Sequence, residues 1–161
     1  MVASYGPSEE ASTSGADFTL PGALFDAVAA SCPTGTVENG TLDDKILCTI
    51  DSASRITSDL RLTNGDQLIY ELDGAVFVGI DQGADPASPL PGSAAGSITI
   101  DGGVTVVAEG NDDYLVITRG SKIFSNGTEA RPVVFTAKGA VDGSATIDTD
   151  TKGLWGGLVI N

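Results

Sequence analysis

No histidine occurs in the 161 residues, which removes imidazole general bases, His-containing triads and the usual zinc and copper sites together. Basic side chains are scarce, 8 Lys and Arg against 22 Asp and Glu. The chain therefore lacks the positive patches that bind nucleic acid or anionic lipid. No apolar run approaches the roughly 20 residues of a membrane-spanning helix. The opening Met1-Val-Ala-Ser-Tyr-Gly-Pro7 has neither a basic stretch nor an apolar core, so it is not a secretory signal, and an exported form is expected to have lost one. Ala29-Ala-Ser-Cys32 has the outline of a lipidation site, but acidic Asp26 precedes it, and we read it as coincidence. Only two cysteines occur, Cys32 and Cys48, too few for a thiolate cage. A disulfide is expected, stabilising the fold by roughly 3 kcal/mol through loop closure and implying an oxidising compartment; two buried free thiols are the alternative.

What is plentiful is glycine, 21 residues, together with Val, Ile, Thr and Ser, a composition suited to strands and corners. The length suits one domain. Leu115-x-Ile117-x-x-Gly120-x-x-Ile123-x-x-x-Gly127 repeats seventeen positions earlier as Ile98-x-Ile100-x-x-Gly103-x-x-Val106-x-x-x-Gly110, and thirty-eight positions before that as Leu60-x-Leu62-x-x-Gly65-x-x-Leu68. Such repetition marks units that cannot bury their own apolar edge and must stack on neighbours. In one copy Leu115 and Ile117 share a face of an extended segment, Gly120 turns the chain, Ile123 opens a second strand, Asn126-Gly127 makes a corner and Val133-Val-Phe135 forms a third strand. Three short strands per turn predict a right-handed parallel β-helix, an all-β solenoid. A hairpin-based sandwich is the competing fold. A left-handed helix is disfavoured, because six and twelve positions after Ile98 stand Val104 and Gly110 rather than an aliphatic series.

Residues 1–17 read as a flexible tail and 18–55 as an N-terminal cap, with a short helix in Leu20–Ala30 (Leu24, Phe25 and Val28 on one side) and Cys32 pinned to Cys48. Coils are expected over 56–161, with a proline-rich loop between Gly79 and Gly96 and a polar excursion from Ala137 to Gly153. A new coil begins at Leu154-Trp-Gly-Gly-Leu-Val-Ile160 and breaks off. The expectation is a truncated or processed stack, or an open C-terminal edge that pairs with another chain as a homo-oligomer.

Tyr114-Leu-Val-Ile-Thr-Arg-Gly-Ser-Lys-Ile123, Gly127-Thr-Glu-Ala-Arg-Pro-Val-Val-Phe-Thr136 and Gly153-Leu-Trp-Gly-Gly-Leu-Val-Ile160 resemble the N-terminal coils of secreted or surface-exposed bacterial right-handed parallel β-helix proteins. The resemblance covers Ser97–Asn161 well and Ile56–Val78 loosely. It implies export to the cell surface or beyond, and it carries no catalytic motif.

Of the candidate chemistries, paired carboxylates (Asp112 with Asp113, Asp148 with Asp150) are what a carbohydrate-active enzyme fragment would use. No Arg or Lys cluster stands beside them. Calcium suits the acidic corners better: Glu109, Asp112 and Asp113 form one candidate set, Asp142, Asp148 and Asp150 another. An EF-hand starting at Asp148 fails, since Lys152 and Val159 fall where oxygen ligands are required. Trp155 is a candidate platform for a carbohydrate ring. Asn39-Gly-Thr41 and Asn126-Gly-Thr128 match the glycosylation pattern but serve equally as Asn-Gly turns. The leading expectation is a non-enzymatic extracellular module for adhesion, ligand binding or assembly. The alternatives are an enzyme fragment and a self-assembling filament unit.

Overall fold

The computed structural model describes residues 30–53 and 55–161; the expected tail and cap helix lie outside them. The described residues form strands β1 (Val37–Leu42), β2 (Lys45–Asp51), β3 (Asp59–Leu62), β4 (Leu68–Asp73), β5 (Ala75–Val78), β6 (Ser97–Asp101), β7 (Thr105–Ala108), β8 (Gly110–Ile117), β9 (Lys122–Asn126) and β10 (Val134–Ala137), then a one-turn helix α1 (Lys138–Val141) and β11 (Trp155–Ile160). No helix among them is long and apolar enough to cross a membrane.

The strands fall into three sheets, visited in rotation. The first has the order β1-β2-β4-β7-β10, the second β5-β8-β11 and the third β3-β6-β9. Every strand pair is parallel except the opening β1–β2 hairpin, so the fold is all-β with parallel sheets, not a sandwich of hairpins. Parallel pairing starts at β2, and residues 45–51 of the segment read as cap thus already belong to the first circuit. The shortest circuit takes 22 residues, from Ile46 to its partner Leu68 and again from Ile56 to Val78. Longer ones carry excursions: residues 79–96 leave the sheets between β5 and β6, and 138–154 between β10 and β11.

Alternation along each strand sends one set of side chains inward. Cys48, Tyr70, Val106 and Phe135 lie in register across the first sheet, Val76 and Leu115 across the second, and Leu60, Ile98 and Ile123 across the third. Together they form one apolar core. Tyr70 is fully buried; its hydroxyl donates to the Thr63 carbonyl at 2.8 Å and accepts from the Thr63 N–H at 3.0 Å, which satisfies a polar atom inside the stack. The disulfide forms as expected between Cys32 and Cys48 and ties the entering chain to the core.

The thirty-eight-residue offset is a true stacking register, with Leu60 on Ile98 and Leu62 on Ile100. The seventeen-residue offset is not. Leu115 and Ile117 pair with Val76 and Val78, in a different sheet from Ile98 and Ile100. The third repeat copy therefore lies beside the second within the same stretch of circuit, because each sheet is entered by the same local strand-then-glycine pattern.

Outside the first sheet a smaller apolar cluster forms. Leu47, Ile69 and Val107 point outward there and are covered by Leu42 of β1 and Val141 of α1. This cover keeps Glu71, also outward-facing in β4, at 6 % exposure.

Candidate functional site

The acidic positions singled out in the sequence are dispersed and mostly committed. Asp113 accepts from the Gly74 N–H and from the Glu109 N–H, both at 2.7 Å, so both its oxygens hold backbone. Asp112, its neighbour on β8, is exposed; successive strand residues point to opposite faces, and the two cannot converge on one ion. Glu109 instead approaches Lys138 at 3.4 Å. Asp142 accepts from the Ser144 N–H, and Asp148 from the Asp150 N–H and the Thr151 hydroxyl. These are turn-forming bonds of the kind Asp makes in loops; the Ser144 side chain and then its N–H hold the Asp142 carboxyl below the usual range, as the Thr151 hydroxyl and then the Asp150 N–H do that of Asp148. Among the described residues no three carboxylates or thiols gather as a metal cage. Trp155 lies nearly parallel to Phe135, ring centroids 6.0 Å apart, and packs against the core at its edge, beside a cleft of about 300 Å³ that Lys152 and Ile147 also line.

Two other carboxylates tie circuits together. Arg119 grips Asp81 through two nitrogens at 2.8 and 2.9 Å, and Arg61 grips Asp101 in the same forked way at 3.0 and 2.9 Å. Those bonds hold both aspartates below the ordinary carboxylate range. A depressed folded-state value means the stabilisation is complete above the unfolded value, near 3.8, and disappears as pH falls through the lower folded one. The pair Asp81→Asn/Asp101→Asn is accordingly expected to lower the melting temperature at pH 7 and to differ progressively less from the parent below about pH 4. A constant difference from pH 7 to 2, followed by circular dichroism, would remove the two forks from the account of acid stability.

Two wider concavities lie apart from these residues. A cleft of about 440 Å³ opens beside the first circuit, walled by the Thr34–Val37 turn, by Asp51 and Arg55, and by residues 56–60. A second, of about 430 Å³, opens where the 79–96 excursion ends, with Ala95, Gly96, Ser97, Gly120 and Lys122 in its wall. Thr57, Ser58 and Asp59 line both and form the ridge between them. The surface carries the hydroxyls of Thr34, Thr36, Thr57, Ser58 and Ser97, two cationic donors and Asp59; the Thr36 hydroxyl donates to the Pro33 carbonyl and that of Ser97 to Asp59, so these two offer a ligand only their lone pairs. Arg55 is held in place from behind: its guanidinium carbon sits 4.3 Å above the Phe77 ring, a cation–π contact, and Phe77 meets Tyr114 edge-on at 6.3 Å. No described carboxylate pairs with Arg55. Such a surface can exchange hydrogen bonds with an extended polyhydroxyl ligand across three circuits.

The sequence reading missed this groove. Its one local signal was the hydroxyl-rich Thr57-Ser-Asp59, and the distant Thr34 and Lys122 come alongside only through stacking. A family model described as a pectate-lyase-like β-helix domain matches residues 54–161. No curated protein and no solved structure matches the chain.

Proposed function

The chain belongs to the pectate-lyase-like β-helix family, and from that premise we propose a non-enzymatic extracellular module: a right-handed solenoid that binds an oligosaccharide along the groove on either side of Thr57, Ser58 and Asp59. The observation that carries this is the pair of clefts sharing that ridge, with Arg55 pre-positioned over Phe77. Preorganised donors lose little freedom on binding, which is where affinity for a flexible sugar is usually forfeited. The disulfide supports an oxidising location at or beyond a bacterial cell surface. The non-enzymatic part rests on what the conspicuous aspartates already do. Asp113 accepts backbone amides on both oxygens, and Asp148 accepts the Asp150 N–H and the Thr151 hydroxyl on Oδ1, so both are engaged in holding local structure.

A panel of neutral and acidic oligosaccharides, scored by calorimetry for binding and by chromatography for cleavage, tests the reading. Binding is expected, weakened roughly tenfold or more by Arg55→Ala, the order expected for a hydrogen bond to a charged group. Binding that Arg55→Ala and Lys122→Ala leave intact would place the ligand elsewhere, and cleavage products would make the module an enzyme. A second reading, association of copies through the edges of β9, β10 and β11 that no described strand covers, is favoured by Leu158 and Ile160. They continue the inward rows of Leu115 and Ile117 yet are 40 % and 63 % exposed. Light scattering across a concentration series separates it from the first.

A further inference from the structure

On the outer face of the first sheet, three residues far apart in sequence meet at one carboxylate. Lys138 Nζ donates to Glu71 Oε1 at 2.7 Å, and Asn39 Nδ2 donates to Glu71 Oε2 at 3.5 Å. The Thr49 hydroxyl also donates to Oε2, at 3.0 Å, and accepts from Asn39 Nδ2 at 3.3 Å. Glu71 is 6 % exposed, beside the apolar cluster of Leu42, Leu47, Ile69, Val107 and Val141. Asn39 reaches the carboxylate from an irregularity of β1, where the register with β2 shifts between Glu38 and Thr41. An amine, a primary amide and a proton carrier thus meet at one carboxylate, with Glu71 buried, Lys138 largely covered and Asn39 exposed, and groups held on a common partner react with effective concentrations no free pair attains.

We propose that Lys138 and Asn39 become joined by an intramolecular amide bond, with Glu71 carrying the proton. Across the 2.7 Å hydrogen bond the Lys138 ammonium passes a proton to Glu71. The freed Nζ lone pair attacks Cγ of Asn39 and a new C–N bond forms. Glu71 returns the proton to Nδ2, the Cγ–Nδ2 bond breaks and ammonia leaves; the second proton, which Nζ sheds as the amide forms, passes to the regenerated Glu71 carboxylate and from there to the departing ammonia, which escapes as ammonium. One C–N bond replaces another, so no oxidant, cofactor or added reagent is consumed. Glu109, 3.4 Å from Nζ, and Glu71 both favour the charged amine, so the neutral fraction is small. Ammonia escapes, however, and an irreversible single event accumulates from a small reactive population. The product would clasp β1 to the residue after β10, spanning every strand of the first sheet.

Intact-mass measurement on the purified full chain, fresh and after prolonged incubation, tests this. The expected result is a mass one ammonia below that of the sequence and a proteolytic fragment in which the Asn39 and Lys138 peptides are joined. Glu71→Gln and Lys138→Arg are each expected to restore the full mass; the arginine variant keeps the cation beside Glu71, so its fold serves as the control if Glu71→Gln is unstable. A parent chain that stays at full mass overturns the proposal. So does a missing ammonia without a joined peptide, the signature of a succinimide at Asn39-Gly40.

Discussion

Gly65→Ala is expected to cost more than about 3 kcal/mol of folding stability, a larger effect than most single substitutions produce. Gly65 is buried and its φ is not in the left-handed region, so backbone preference does not explain it. What stands in the way is the next circuit: a Cβ at Gly65 would collide with the backbone carbonyl of Gly103 and press on the Val104 N. Both glycines hold the same place in the repeat frame, three residues beyond the inward pairs Leu60/Leu62 and Ile98/Ile100, which are themselves in register. A backbone clash cannot be relieved by a rotamer change; the circuits must separate, and the strands on either side lose their ladder. Gly40→Ala is the control. Gly40 has a φ of +75° but no atom within 4 Å of the added carbon, so it pays only the backbone preference, on the order of 1 kcal/mol. Urea denaturation of the two variants separates steric from conformational glycine. Equal midpoints would mean that the circuits are not in close contact at Gly65.

Much of this architecture is legible in the sequence because a strand and its glycine corner are local events. The frame at Leu60-x-Leu62-x-x-Gly65 recurs at Ile98 because the two segments stack. The copy at Leu115 matches equally well and yet sits in another sheet, since a local pattern records that a strand turns and not which face it turns onto. That depends on the number of residues spent in excursions such as 79–96. The disulfide was legible from a count, two thiols with no third partner. The Glu71 cluster was not. In Gln67-Leu-Ile-Tyr-Glu-Leu72 a glutamate opposite the inward Tyr70 and Leu72 reads as solvated, and it is enclosed by β1 on one side and by α1, with Lys138 67 residues downstream, on the other. Asp112 and Asp113 diverge for the converse reason: they are adjacent in sequence, which in a strand directs them apart.

The same register makes a demand on the third sheet. Ile98 is fully buried, with Leu60 on one side and Ile123 on the other. Ile98→Ala removes three carbons from a row whose neighbours are fixed by parallel ladders on both sides and cannot close in. The cost is therefore set toward the middle of the range for such truncations, about 3–4 kcal/mol, from lost burial plus the residual cavity. In β9 of the same sheet, Phe124 points outward and is 47 % exposed, so deleting the larger side chain by Phe124→Ala is expected to change stability by no more than about 0.5 kcal/mol. Hydrophobicity and size alone predict the opposite order. The ranking follows only if alternate residues of β6 and β9 face a common interior, because a one-residue slip in pairing would exchange the two faces. Denaturation midpoints measured with unchanged slopes decide it, and a Phe124→Ala loss equal to that of Ile98→Ala would show that the interior of the stack lies on the other face of the strands.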